Sequence, residues 1–248
     1  MADGVTSSVD REVLGVLDGV PVNTVPDVVA RMQALDAVLP ADDGLKWFNF
    51  LYRMVTEQIL ADIVASKWQD GPWLGELDVV FARLFFEAIV SWIKAPAQCP
   101  RAWTPLFERR ATRGVARVQF GMAGMNAHIN RDLPLAVVRT CEARDVVPHR
   151  GSPQQADYER VNDILEAVEI RAMEAMATGI IGEVARDMGR VDDVIAMWDV
   201  RKARDAAWIN GEVLWTMRDR PHLSADYLGM LDRMAGFAGR GLLVRTEI

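Results

Sequence analysis

Between residues 119 and 138 the chain reads QFGMAGMNAHINRDLPLAVV, an apolar run in which a histidine stands four residues before an aspartate. Residues three and four apart share a helix face, so the carboxylate of Asp132 can orient the imidazole of His128, with Gly121, Met125 and Leu135 above and below. An imidazole held in this way is a proton shuttle near neutral pH. Gln119, Ala123, Asn126 and Asn130 line up on a neighbouring face, and the amides of Asn126 and Asn130 suit donation to a developing oxyanion. Arg131 is a charge clamp or a structural partner for an acid. Pro134 withholds an N–H from the carbonyl of Asn130 and crowds it, so a kink is expected where the polar residues gather. The plainer alternative makes Asp132 the cap of a new helix starting at Leu133 and His128 a core histidine satisfied by a neighbour. Capping leaves Asn126, Asn130 and Arg131 without a reason in so apolar a segment, where unpaired buried amides and charges are costly.

A second constellation lies in MWDVRKARDAAWINGEVLWTMRD, residues 197–219, where Trp198, Arg201, Asp205, Trp208, Glu212 and Trp215 recur at steps of three and four. Three indoles, two carboxylates and a guanidinium therefore share one helical stripe. Such a stripe is either half exposed, with Arg201 paired to Asp205, or it walls a pocket. In the pocket version Glu212 sits between tryptophans, where desolvation raises a carboxyl pKa and suits it to acid/base work, while Asp205 stays ionised beside Arg201 or Arg204.

The established motifs are missing: no phosphate loop, dinucleotide fingerprint, H-E-x-x-H, G-x-S-x-G or EF-hand is present. His128, His149 and His222 are too few for a multi-histidine centre, although one histidine with two or three carboxylates could hold a divalent ion. Asp192 and Asp193 invite a terpene-cyclase comparison, but Ala196 occupies the place of the expected acid. No cofactor is expected.

The elements that must position these residues are helical. Helices are expected over 26–38, 45–66 (with Trp47, Phe50, Leu51, Met54, Gln58 and Ala61 on one face), 77–95, about 115–145 with its kink, 153–176, 179–188, 191–218 and 224–238. The stretch 95–106, with three prolines, reads as a loop, and Ser152-Pro153-x-Gln155 as a helix start. Gly236, Gly239 and Gly241 close the pattern. The expected class is all-α, a single compact domain of about 8 helices over 26–248, behind a variable segment over 1–25.

A hydrophobic fraction of 50% is ample for a core, and a formal charge of −7 without a Lys/Arg block argues against nucleic-acid binding. The opening MADGVTSSVDREVLGVLDG carries acids where a signal peptide needs basic residues, and no window reaches the roughly 18 uncharged apolar residues of a membrane span. A cytoplasmic protein is expected, its two cysteines, Cys99 and Cys141, free and buried. Exposed indoles could serve a homodimer face.

The blocks GMNAHINRDLP, RAWTPLFERR, GSPQQADYERVN, RKARDAAWINGEVLW and GFAGRGLLV resemble a bacterial all-helical family, frequent in actinomycetes, known as a domain of unknown function. The likeness runs from about residue 30 to the end, which implies that these blocks form one domain. From the residues themselves, the leading expectation is a small-molecule enzyme with a tryptophan-rich pocket and metal-free acid/base chemistry of cyclase, isomerase or lyase type on an apolar or aromatic substrate. Two alternatives stand beside it: a mononuclear metal-dependent hydrolase using His128 and carboxylates, and a non-catalytic ligand-binding or interaction protein.

Overall fold

Short polar caps start most of the helices, as the composition of their first turns requires. In the computed structural model, which describes residues 7–177 and 199–245, Ser7 accepts from the backbone of Asp10 to open α1 (Ser8–Leu17). Thr24 and Asp27 form a reciprocal capping box at α2 (Val25–Val38). Asp43 caps α3 (Gly44–Val64), and Asp70, with Pro72 in the first turn, caps α4 (Gly71–Lys94). That last helix starts six residues before the expected 77, because the Asp70 cap and Pro72 set the boundary rather than the first strongly apolar turn.

A 3₁₀ turn (Pro96–Gln98) and the short α5 (Thr104–Arg109) lie in and beyond the stretch expected to be loop. The long central helix follows as α6 (Arg117–Ala127), a π turn (His128–Asp132) and α7 (Leu133–Ala143). Ser152 accepts from the backbone of Gln155 at 3.0 Å to start α8 (Pro153–Ala177), as its sequence predicts. Asp199 caps α9 (Val200–Thr216), and α10 (Pro221–Leu242) ends the described chain. With the central helix counted once, the described residues form nine helices and no strand in one compact domain, which is the all-α class expected. The expected 179–188 helix and the first part of 191–218, with Asp192, Asp193 and Trp198, lie outside the described residues.

The central helix is the axis of the domain. Its α6 half packs on α3 and α10, its α7 half on α4 and α9, and the π turn touches α4, α9 and α10. Residues 7–25 join this body through α1, which packs on α2 and α4 and puts Val13 and Leu17 into the main core. On α3 the most buried face is Leu45, Phe48, Tyr52, Val55, Thr56 and Ile59; of the stripe expected only Leu51 is buried, and Ala61 is exposed. This helix is apolar over most of its circumference, so periodicity alone offers several stripes and the neighbours α2, α6 and α8 decide among them. The last helix runs past Gly236 and Gly239 instead of ending there. A Cβ at Gly236 would stand 2.5 Å from the carbonyl oxygen of Arg101, so that glycine serves a close approach and not a stop.

Candidate functional site

Pro134 can donate to neither Asn130 nor Ile129, and ahead of it the helix widens: the N–H of Leu133 reaches back five residues to the carbonyl of His128. The expected kink is this π turn. Asp132 keeps helical backbone angles and its side chain caps nothing, so the capping alternative does not describe it. Instead its Oδ2 lies 3.0 Å from Nδ1 of His128 and accepts from Nε1 of Trp103 at 2.9 Å, while Arg131 donates to its Oδ1 at 2.6 Å. Asp132 is wholly buried and His128 is 2% exposed. Burial pushes the Asp132 carboxyl up, but the hydrogen bond from His128 and the charge of Arg131 outweigh it and hold it below its ordinary range. Burial likewise lowers His128, against the pull of Asp132. The pair is therefore an ionised carboxylate and a neutral imidazole, with Nδ1–H donating and Nε2 left as a lone pair.

That Nε2 is buried and has no hydrogen-bond partner among the described residues. The ring borders an apolar cavity of about 120 Å³ enclosed by α3, α4, the central helix, α8 and the start of α9. Phe81 lies flat on one face of the imidazole and the Tyr52 ring meets it edge-on with centroids 4.7 Å apart. Two further polar groups border the same cavity without hydrogen bonds: the Tyr52 hydroxyl and Oδ2 of Asp78. Asp78 is 4% exposed, and burial pushes its carboxyl up to about 7 against a weaker pull from Thr56. Burial, with the charges of Asp78 and Asp132, raises the Tyr52 hydroxyl well above its ordinary value. His128, Asp78 and Tyr52 thus border one largely apolar cavity, each with a buried polar atom that has no partner among the described residues, a set of groups that can accept and return protons.

Tyr52 and Asp78 escaped the reading of the sequence. The signal for Asp78 is its register: Leu74, Asp78, Phe81 and Phe85 follow at helical spacing, so an acid interrupts an apolar stripe.

The remaining expected residues lie elsewhere. Asn126 donates to the carbonyl of Ala235 at 2.8 Å and Asn130 to Oδ1 of Asn126 at 3.1 Å, while Gln119 donates to the carbonyls of Leu242 and Val244. Asn126 and Gln119 thereby seat α10 on α6, Asn130 backs Asn126 from within the central helix, and none of the three lines the His128 cavity. Arg131 takes the structural role: besides Asp132 it approaches Asp232 of α10, at 3.8 Å, whose carboxylate accepts from the backbone of Arg101 and Ala102. Arg201 is exposed and pairs with Asp163 and Glu166 of α8, not with Asp205, which is exposed. Trp208 is buried against Trp73 and Tyr158 and donates to half-buried Glu212 at 3.0 Å; Trp215 is half-buried with Arg218 over its ring. None of Asp205, Trp208, Glu212 or Trp215 lines the His128 cavity. The structure does not bring the two sequence constellations together, because α9 turns Trp208 into the core beside α4 and α8 and offers the cavity Val200 and Arg204 instead.

Cys99 and Cys141 are free and buried, with thiols pushed up by burial to about 12 and about 11. Among the described residues no group of three His, Cys, Asp or Glu side chains could hold a metal ion, and no helix is long and apolar enough to cross a membrane. The chain belongs to a family of unknown function, DUF5995, which it matches over residues 25–245. No curated protein and no solved structure matches it.

Proposed function

We propose, from membership of a family that brings no activity with it, that this chain is a small-molecule enzyme working by metal-free general acid/base chemistry in the His128 cavity. The observation that carries the reading is the buried, unpartnered Nε2 of His128, on a ring oriented by Asp132 that borders a largely apolar cavity. A buried acceptor left unmatched is costly, and a ligand that donates there removes the cost. His128 is the base, Asp132 its orienter, and Asp78, poised near neutrality, the acid that returns the proton, with Tyr52 donating to an oxygen that gains charge. The apolar walls call for a largely apolar or aromatic substrate and suit isomerisation, cyclisation or elimination better than hydrolysis. Two buried free thiols suit a cytoplasmic setting.

Incubation of the protein with a small-molecule cell extract, followed by mass spectrometry, tests this. The expected result is a substrate–product pair of equal mass, or differing by a small neutral molecule, that disappears with His128→Ala and Asp132→Asn variants shown to be folded. Equal conversion by wild type and His128→Ala rejects the assignment. Absence of any conversion favours a non-catalytic ligand-binding protein.

A homodimer is a second reading, favoured by α10. Leu223, Met230, Met234 and Phe237 are exposed on it at steps of seven, four and three, with Phe237 81% exposed. An antiparallel pairing about residue 232 sets Met230 against Met234 and Asp226 near Arg240 of a second copy. Light scattering should give twice the chain mass, and the monomer mass for Phe237→Glu.

A further inference from the structure

We infer that the ligand of the His128 cavity carries a carboxylate, clamped by Arg204. The inference rests on that cavity being the functional site and adds the charge of what it binds. Arg204 stands in the first turns of α9 and borders the cavity, yet only 5% of it is exposed. Its Nε donates to Oδ1 of Asn162 at 2.7 Å and its Nη2 to the carbonyl of Tyr158 at 2.6 Å. The guanidinium lies over the Tyr158 ring at 4.2 Å, and the Tyr158 hydroxyl donates back to the Arg204 carbonyl. Every one of these partners is neutral. Among the described residues no carboxylate comes within 4.0 Å of it, and Asp205, its neighbour in sequence, is exposed and lines an outer groove with Arg150 and Glu159.

A buried cation with no carboxylate at contact distance is unfavourable; the exposed Asp205 favours its charge only from beyond that distance, and the packing around Arg204 fixes its fork without neutralising it. Its Nη1 makes no hydrogen bond among the described residues. Planar guanidinium favours a carboxylate over a spherical anion, because two parallel N–H donors meet two oxygens. A single charge is indicated: among the described residues Arg204 is the one Lys or Arg bordering the cavity, and His128 is neutral. Among the described residues the wall on the α8 and α9 side, with Val161, Leu165, Val168 and Val200, is otherwise aliphatic. The substrate class is therefore an apolar-bodied monocarboxylic acid with a carbonyl or hydroxyl at its other end, set against His128, Asp78 and Tyr52. An apolar cavity of about 150 Å³ takes benzene, so the body is small, on the order of six carbons.

Calorimetric titration with hexanoate and with 1-hexanol at pH 6 tests the clamp. Wild type should bind hexanoate at least tenfold more tightly than 1-hexanol, and each should displace the other. Arg204→Met, which keeps the stem, should lose the preference while still binding 1-hexanol; Arg204→Lys should retain part of it. Equal binding of the two by wild type overturns the inference and leaves the cavity standing, and so does a preference that survives Arg204→Met. Binding of neither overturns the inference and the cavity reading together. Should Arg204→Met fail to fold, the wild-type comparison and Arg204→Lys decide alone, an unchanged preference in the lysine variant together with no mutual displacement counting against the clamp.

Discussion

The ring of His128 lies parallel to that of Phe81, with centroids 3.4 Å apart and planes 5° from coplanar. One face of the imidazole is covered, one ring nitrogen is taken by Asp132, and Nε2 is left without a partner among the described residues. Stacking on a phenyl ring also shields the imidazole protons. Phe81→Leu is expected to move the His128 proton resonances downfield in the NMR spectrum and to cost roughly 1–2 kcal/mol in urea unfolding. Unmoved resonances would mean that the ring is not stacked in solution.

Asp132 gathers donors from His128, Trp103 and Arg131 on two oxygens. Replacing it with asparagine offers an amide where three donors point and leaves the charge of Arg131 with only the more distant Asp232. Asp132→Asn should destabilise the fold by on the order of 3 kcal/mol. Nitrogen-15 shifts of His128 should show the loss of a single tautomer. A variant as stable as wild type with unchanged tautomer would show that the carboxylate does not orient the ring.

The raised carboxyl of Asp78 makes a pH-dependent prediction with a definite sign. In the unfolded chain this group titrates near 3.8, in the fold at about 7, so between those values the native state holds the extra proton. Its contribution to stability is fully present below about pH 4, falls as pH rises to 7 and is then constant. Asp78→Asn removes that loss. The variant should gain on wild type steadily from pH 4 to 7, by up to several kcal/mol, and hold the advantage above pH 7. Urea midpoints measured across pH 5–9 check this; a difference independent of pH would place the Asp78 carboxyl at its ordinary value. Buried neutral His128 acts in the opposite sense, since its lowered pKa costs stability as pH falls below 6.5, and it is common to both proteins.

Asn126 serves the seat of α10 and not the chemistry. Asn126→Ala leaves the carbonyl of Ala235 without its donor and should cost about 1–3 kcal/mol. Hydrogen exchange should quicken along α10, while binding of 1-hexanol in the cavity stays at its wild-type affinity. A large loss of ligand affinity without faster exchange would return Asn126 to the site.

The His128/Asp132 pair could be read from the chain because four residues along one helix fix a contact without knowledge of anything else. The all-helical class followed from periodicity in the same local way. Asp78 and Tyr52 needed the packing of α3 against α4 and the central helix, which no spacing within one helix contains. The tryptophan stripe of α9 misled for the complementary reason. Its residues do share a side, but whether that side meets a cavity, a core or solvent depends on α4 and α8, and Arg201 found its acids across the helix gap on Asp163 and Glu166. Arg204, one position outside the stripe, is what α9 turns inward.

The widened turn at His128–Asp132 has a consequence for helical phase. An α-helix advances about 100° per residue, and a turn closed over five residues instead of four holds one residue more than that screw accommodates. The faces before it and after it are therefore out of step by one place: Gly121 and Gly124 meet α3 on one count, and Val137 meets Gly211 of α9 on a count shifted by one residue. Removing Asn130 would restore an uninterrupted screw and a plain sequence period, and it would leave His128 and its aspartate three residues apart, on a shorter span than the one that now aligns ring and carboxylate.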